Sequence, residues 1–166
     1  MRPEDALSWD SNWAWSLPLV VLTVVLHVIG LGLINSGVVR TVSATRRTFF
    51  GMFVVVMGGV ALLATALHAL EASIWGFAYR ILGALPDGRS AMLYSLSAMT
   101  TYGHTNLALA AHWQLMGAVE ALNGLLLFGL TTAFLYSHLH RLWELEEERR
   151  AAARARSDAA RARPPG

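Results

Sequence analysis

The chain has no cysteine and no lysine, and only 14% of its residues are charged. Without cysteine it forms no disulfide and offers no thiolate to a metal, and its redox compartment leaves no trace in the sequence. Without lysine, all 13 basic residues are arginine, which together with abundant alanine is the composition of a GC-rich bacterial genome. The first apolar segment carries no series of arginines, which excludes a voltage sensor of the arginine-ladder kind. No internal repeat is present. What the sequence does contain is apolar surface. Hydrophobic residues make up 55% of the 166 and the mean hydropathy is positive, a composition suited to a bilayer.

Three segments reach the ~20 apolar residues a spanning helix requires. Residues 1–16 come first, with Arg2, Glu4, Asp5 and Asp10 among Trp9, Trp13 and Trp15, an acidic and aromatic stretch suited to a membrane interface. Leu17 to Val39 is long and lacks a small-residue cleavage pattern, so it reads as a spanning helix and not as a signal peptide. Arg40, Arg46 and Arg47 mark a Ser/Thr-rich connection as cytoplasmic, which puts the N-terminus outside. A second run, Phe49 to Leu70, returns outward with helical character continuing to Leu85, where Pro86-Asp87-Gly88 signals a turn. The third, Leu115 to Ser137, leads back to an arginine-rich cytoplasmic tail, residues 141–166, in which Glu146 and Arg150 have helical spacing. The tail is expected to fray after Ser157. The expected domains are thus 1–16, 17–39, a module over 49–140, and the tail, all in a bacterial inner membrane.

Between the second and third spans, Ala91 to Met99 is apolar enough to enter the membrane and too short to cross it, so it reads as a re-entrant helix. Thr100-Thr101-Tyr102-Gly103-His104-Thr105-Asn106 follows. A glycine-punctuated loop at membrane depth, opened by adjacent threonines, is a layout in which carbonyls and hydroxyls replace water around a cation. That predicts a pore and not an enzyme. One copy of so short a chain cannot enclose a path, so the pore must be an oligomer.

These residues resemble the pore module of the potassium channel superfamily over roughly Gly51 to His140. The resemblance rests on an aromatic-containing pore helix, Leu93-Tyr94-Ser95-Leu96-Ser97-Ala98-Met99, on Thr100-Thr101 opening a filter, on Trp113 after a short outer loop, and on Asn123-Gly124-Leu125-Leu126-Leu127-Phe128-Gly129 in the inner helix. It implies an all-α membrane protein with three transmembrane helices, one of them additional to the two-helix module, a pore helix and a filter loop, assembled as a homotetramer. It implies passive conduction of K⁺, and also of Na⁺, with lipids and its own copies as partners, no cofactor, no nucleic acid and no organic substrate. In the family's filter, Thr101 takes the threonine position, Tyr102 the valine, Gly103 the first glycine, His104 the tyrosine, Thr105 the second glycine and Asn106 the aspartate. Because a β-branched residue disfavours positive φ, Thr105 is expected to relax the outer sites and weaken K⁺ over Na⁺ discrimination.

Carried onto this sequence, the resemblance makes Leu125, Phe128, Thr132, Tyr136 and His140 pore-lining or gating residues. Gly124 and Gly129 become hinges or sites of close helix packing. Tyr94, Ser97 and Glu120 support the filter from behind, and Glu120 has the alternative role of attracting cations. His104 either places a titrating imidazole at the outer mouth, bonds to Tyr94 or Ser97, or holds a divalent metal. His68 and Glu71, three apart on one helix face, supply half a metal site at most and read as a hydrogen-bonded pair near the outer interface. His27, His112 and His138 read as interfacial or packing residues. Two other classes remain open: a non-conducting channel-like subunit, and a membrane metal or haem protein using His27, His68, Glu71 and His138.

Overall fold

The computed structural model describes residues 3–44, 49–103 and 107–161, and every regular element among them is helical. The order is α1 (Pro3–Ala44), α2 (Phe49–Ile81), α3 (Gly88–Met99), a 3₁₀ turn (Ala111–Trp113) and α4 (Gln114–Arg161). Three stretches, Trp9–Arg40, Phe50–Ile81 and Ala111–Asp158, are long and apolar enough to cross a membrane. The protein is an all-helical membrane protein. Their outward faces are apolar: Leu33, Leu62 and Phe77 are exposed on a single chain, as lipid-facing positions should be.

Element boundaries differ from the sequence reading in several places. α1 is continuous from Pro3, so the aromatic segment belongs to the same helix as the first span, with Pro18 inside it. Pro18 removes one backbone donor, a loss that membrane helices tolerate when packed against neighbours. α2 ends at Ile81, before the Pro86 turn. Gly83, at φ 66°, donates to the Arg80 carbonyl while Ala84 donates to that of Tyr79, the paired closing bonds of a glycine-terminated helix. Asp87 then belongs to the next element. Its Oδ1 accepts from the Ser90 amide (2.9 Å) and its Oδ2 from the Ser90 hydroxyl (2.7 Å), capping α3. Finally, α4 runs unbroken to Arg161, past the expected fraying at Ser157.

With 12 residues, α3 is about 18 Å long at 1.5 Å per residue, well short of a ~30 Å hydrocarbon core. Glycines on the two long helices let their backbones close on it. A Cβ at Gly76 of α2 would stand 3.3 Å from the Met92 Cα, and one at Gly124 of α4 would stand 2.8 Å from the Met99 Cα and carbonyl carbon. Trp75, Tyr79, Ala91, Met99, Leu109, Trp113 and Met116 fill the core around α3, and Leu31, Ile34, Met52, Val56, Val60 and Leu142 form a second cluster among α1, α2 and α4. α1 is also joined to α4 by polar contacts. Asn12 Oδ1 accepts from the Met116 amide (2.9 Å), its Nδ2 donates to the His112 carbonyl (2.5 Å), and Asn123 Nδ2 donates to Thr23 Oγ1 (2.8 Å). The first of these satisfies an amide in the opening turn of α4, where helices leave donors unpaired.

Candidate functional site

α3 ends in the same backbone motif as α2, with threonine where α2 has glycine. Tyr102 donates to the Ser97 carbonyl (2.9 Å) and Thr101 to that of Ala98 (3.0 Å), which sets Thr101 at φ 56°. A non-glycine residue there costs about 1–2 kcal/mol, and Thr101 is the only one with positive φ among the described residues. Left-handed strain therefore falls at Thr101, at the start of the loop, whereas the sequence reading drew attention to Thr105. Gly103 follows at φ 79°. The Thr100 hydroxyl donates back to the Leu96 carbonyl (2.7 Å). No backbone amide among the described residues bonds the carbonyls of Thr100, Thr101 or Tyr102. Thr100 to Gly103 are all exposed on the single chain, Tyr102 at 86%. His104, Thr105 and Asn106 lie outside the described residues.

Behind α3, Glu120 is fully buried. Its Oε2 accepts from the Tyr79 hydroxyl at 2.6 Å and its Oε1 from the Ser95 hydroxyl, which also stands 2.7 Å from the Ala72 carbonyl. One carboxyl group thus joins α2, α3 and α4. This favours support of α3 over a role in drawing cations, because the group is turned into protein. Tyr79 and Ser95 were not singled out in the sequence, and only their apolar surroundings in it could have marked them. Tyr94, half-buried, packs edge-on against Tyr79 with centroids 5.4 Å apart, whereas the Ser97 hydroxyl bonds within its own helix to the Leu93 carbonyl (2.9 Å).

The inner-helix residues divide into two sets. Leu125, Thr132 and Tyr136 are exposed, and Tyr136 stacks parallel to His140, which pairs with Glu144 at 3.2 Å. Phe128 is partly exposed at 39% and stacks on His68 with centroids 4.2 Å apart. Gly124 is a close-packing site against Met99, while a Cβ at Gly129 would meet nothing within 4 Å.

A second polar cluster is buried among the three long helices. Glu71 Oε1 lies 2.8 Å from His27 Nδ1, and Glu71 Oε2 lies 3.2 Å from His68 Nδ1. The far nitrogens of both rings converge on one hydroxyl, Thr131 Oγ1, 3.1 Å from His27 Nε2 and 3.0 Å from His68 Nε2. His27, Glu71 and Thr131 come from α1, α2 and α4 in turn. His68 and Glu71, expected as a hydrogen-bonded pair, are therefore parts of a closed four-membered ring buried in the protein, and His27 is a member of it. His138 is not; it lies against Phe134. His27, His68 and Glu71 form the group able to converge on one metal ion among the described residues.

No protein-family model, curated protein or solved structure matches this chain.

Proposed function

We propose that the protein is a passive monovalent cation channel built on the plan of the potassium channel superfamily, conducting K⁺ and also Na⁺ through four identical chains. α2, α3 and α4 would form the module around the axis, with α1 outside it. The observation that carries this reading is the loop after α3, where a helix too short to span a bilayer delivers exposed threonines, and carbonyls with no amide partner among the described residues, in a strained turn. Irregular backbone survives at membrane depth only against protein or water, and carbonyls without amide partners are suitable ligands for a dehydrating cation. Strain of this kind persists where surrounding structure holds it, often at functional sites. The exposed side of α4, with Leu125, Phe128, Thr132 and Tyr136, would line the cavity once four copies meet. The Glu120 network would brace α3 from behind. An extracytoplasmic N-terminus, a cytoplasmic arginine-rich tail and residence in a bacterial inner membrane complete the reading, with no catalytic role.

The decisive experiment is reconstitution of purified protein in liposomes, with its mass measured in nanodiscs. Four chains per particle, cation flux, and a bi-ionic reversal potential showing weak K⁺ over Na⁺ preference are expected. A monomer, or vesicles no leakier than empty ones, would overturn the proposal.

A further inference from the structure

The four-membered ring around Glu71 is one cation short. Two neutral imidazoles and one hydroxyl supply three protons, and the ring has four contacts. With Glu71 ionised, His27 Nδ1–H donates to Oε1, Thr131 donates to His27 Nε2, and His68 Nε2–H donates to Thr131. Nothing remains for the fourth contact, which places the bare His68 Nδ1 against Glu71 Oε2. Within this ring, those two atoms are the ones left buried without a hydrogen bond. They face each other at 3.2 Å, close enough for electrostatic attraction and off the line of a hydrogen bond. His27 and Glu71 are fully buried and His68 is 8% exposed. Such an arrangement is costly, because buried polar groups without partners lose the solvation they had in water.

We infer that His27, His68 and Glu71 form an intramembrane binding site for a divalent first-row metal ion of the zinc class. Two imidazoles and one carboxylate suit such an ion, whereas magnesium and calcium prefer oxygen alone. Three protein donors also match zinc with one position left for water. One candidate ligand atom from each of the three residues already lies within 4.8 Å of the other two. Donors about 2.0–2.2 Å from a tetrahedral zinc stand roughly 3.3–3.5 Å apart, so small side-chain shifts suffice.

Thr131 supplies what such a site needs behind its histidines. A metal-bound imidazole donates its second N–H to a fixed acceptor, and Thr131 Oγ1 has two lone pairs facing both Nε2 atoms. Binding moves the His27 proton from Nδ1 to Nε2 and turns the Thr131 hydroxyl away, so the same three protons are kept and none is released. Thr131 is a positioning residue and not a ligand. The site ties α1 and α2 to α4, one turn from Phe128. It rests on the fold of a single chain and does not depend on the channel reading.

The test uses the full chain purified without chelators. Metal analysis of wild-type protein, after incubation with Zn²⁺ and removal of the excess, is expected to give about one ion per chain. Co²⁺ in its place should produce the visible bands of a tetrahedral site. His27→Gln and His68→Gln should abolish both, and Thr131→Val should weaken affinity roughly 10–100-fold. Because the chain has no cysteine, His68→Cys provides a gain of signal: with Co²⁺ it should develop an intense near-ultraviolet sulfur-to-cobalt band that no other residue can produce. That readout remains decisive if a glutamine variant fails to fold. Folded wild type that takes up no metal, uptake unchanged in the glutamine variants, uptake lost instead on replacing the exposed His112 or His140, or a folded His68→Cys protein without the band would each overturn the inference.

Discussion

The Tyr79 hydroxyl of α2 donates to the Glu120 carboxyl of α4 at 2.6 Å, with both residues fully buried, and Ser95 of α3 reaches the same group from the other side. The three helices that shape the loop after Met99 therefore share one acceptor. Glu120→Ala is expected to destabilise the fold by about 1–3 kcal/mol for each donor left unpaired. Glu120→Gln should stay close to wild type. Its carbonyl accepts from Tyr79, its amide donates to Ser95, and Ser95 turns its proton to Ala72. Thermal unfolding in detergent distinguishes the two, and an equal loss in both would refute the arrangement.

The two glycines of the inner helix have different surroundings, and the same substitution should separate them. Gly124→Ala drives a methyl into the Met99 backbone, and overpacking of this kind costs about 1–3 kcal/mol. Gly129→Ala meets open space on a single chain and should stabilise α4 slightly, since alanine is favoured over glycine in helices by about 1 kcal/mol. Melting temperatures moving in opposite directions are the expected outcome.

Thr101→Gly removes a left-handed strain of about 1–2 kcal/mol, opposed by about 0.5–1 kcal/mol of glycine chain entropy. A small net gain in stability is expected. Thr101→Val keeps the strain and should show none. If the proposed channel is correct, both lose the threonine hydroxyl and both conduct less, so stability and flux should part company in the glycine variant.

Asp87 holds the first turn of α3, and the bond from the Ser90 amide, helped by the Ser90 hydroxyl, keeps its carboxyl below the ordinary range. A lowered folded value means that the contribution is present above the unfolded pKa and is lost as pH falls through the folded one. Asp87→Ala should therefore be less stable than wild type at neutral pH, with the gap unchanged between pH 8 and 5 and narrowing only in stronger acid. A gap that closes near pH 6 would point to another group.

Composition and run length made three apolar helices, the half-length α3 and its loop legible, because each depends on local chain chemistry. The polar partnerships were not legible. Glu71 and His27 are 44 residues apart, and Thr131 is 104 from His27, so their meeting is set by the rotational register of three helices, which periodicity leaves free. A helix carrying His68 and Glu71 shows that something polar faces inward, but not what receives it. The strain at Thr101 was missed for a related reason. It follows from how α3 terminates, whereas the sequence drew attention to the threonine standing in a glycine position further along.

α1 contributes Asn12 to the opening turn of α4, Thr23 to Asn123 and His27 to Glu71. Cutting the gene down to its last two long helices would not yield a smaller working unit. It would leave an amide, a carboxamide and a carboxylate each without its partner from the first helix. Whatever ancestry the first helix has, the rest of the chain has become adapted to its presence.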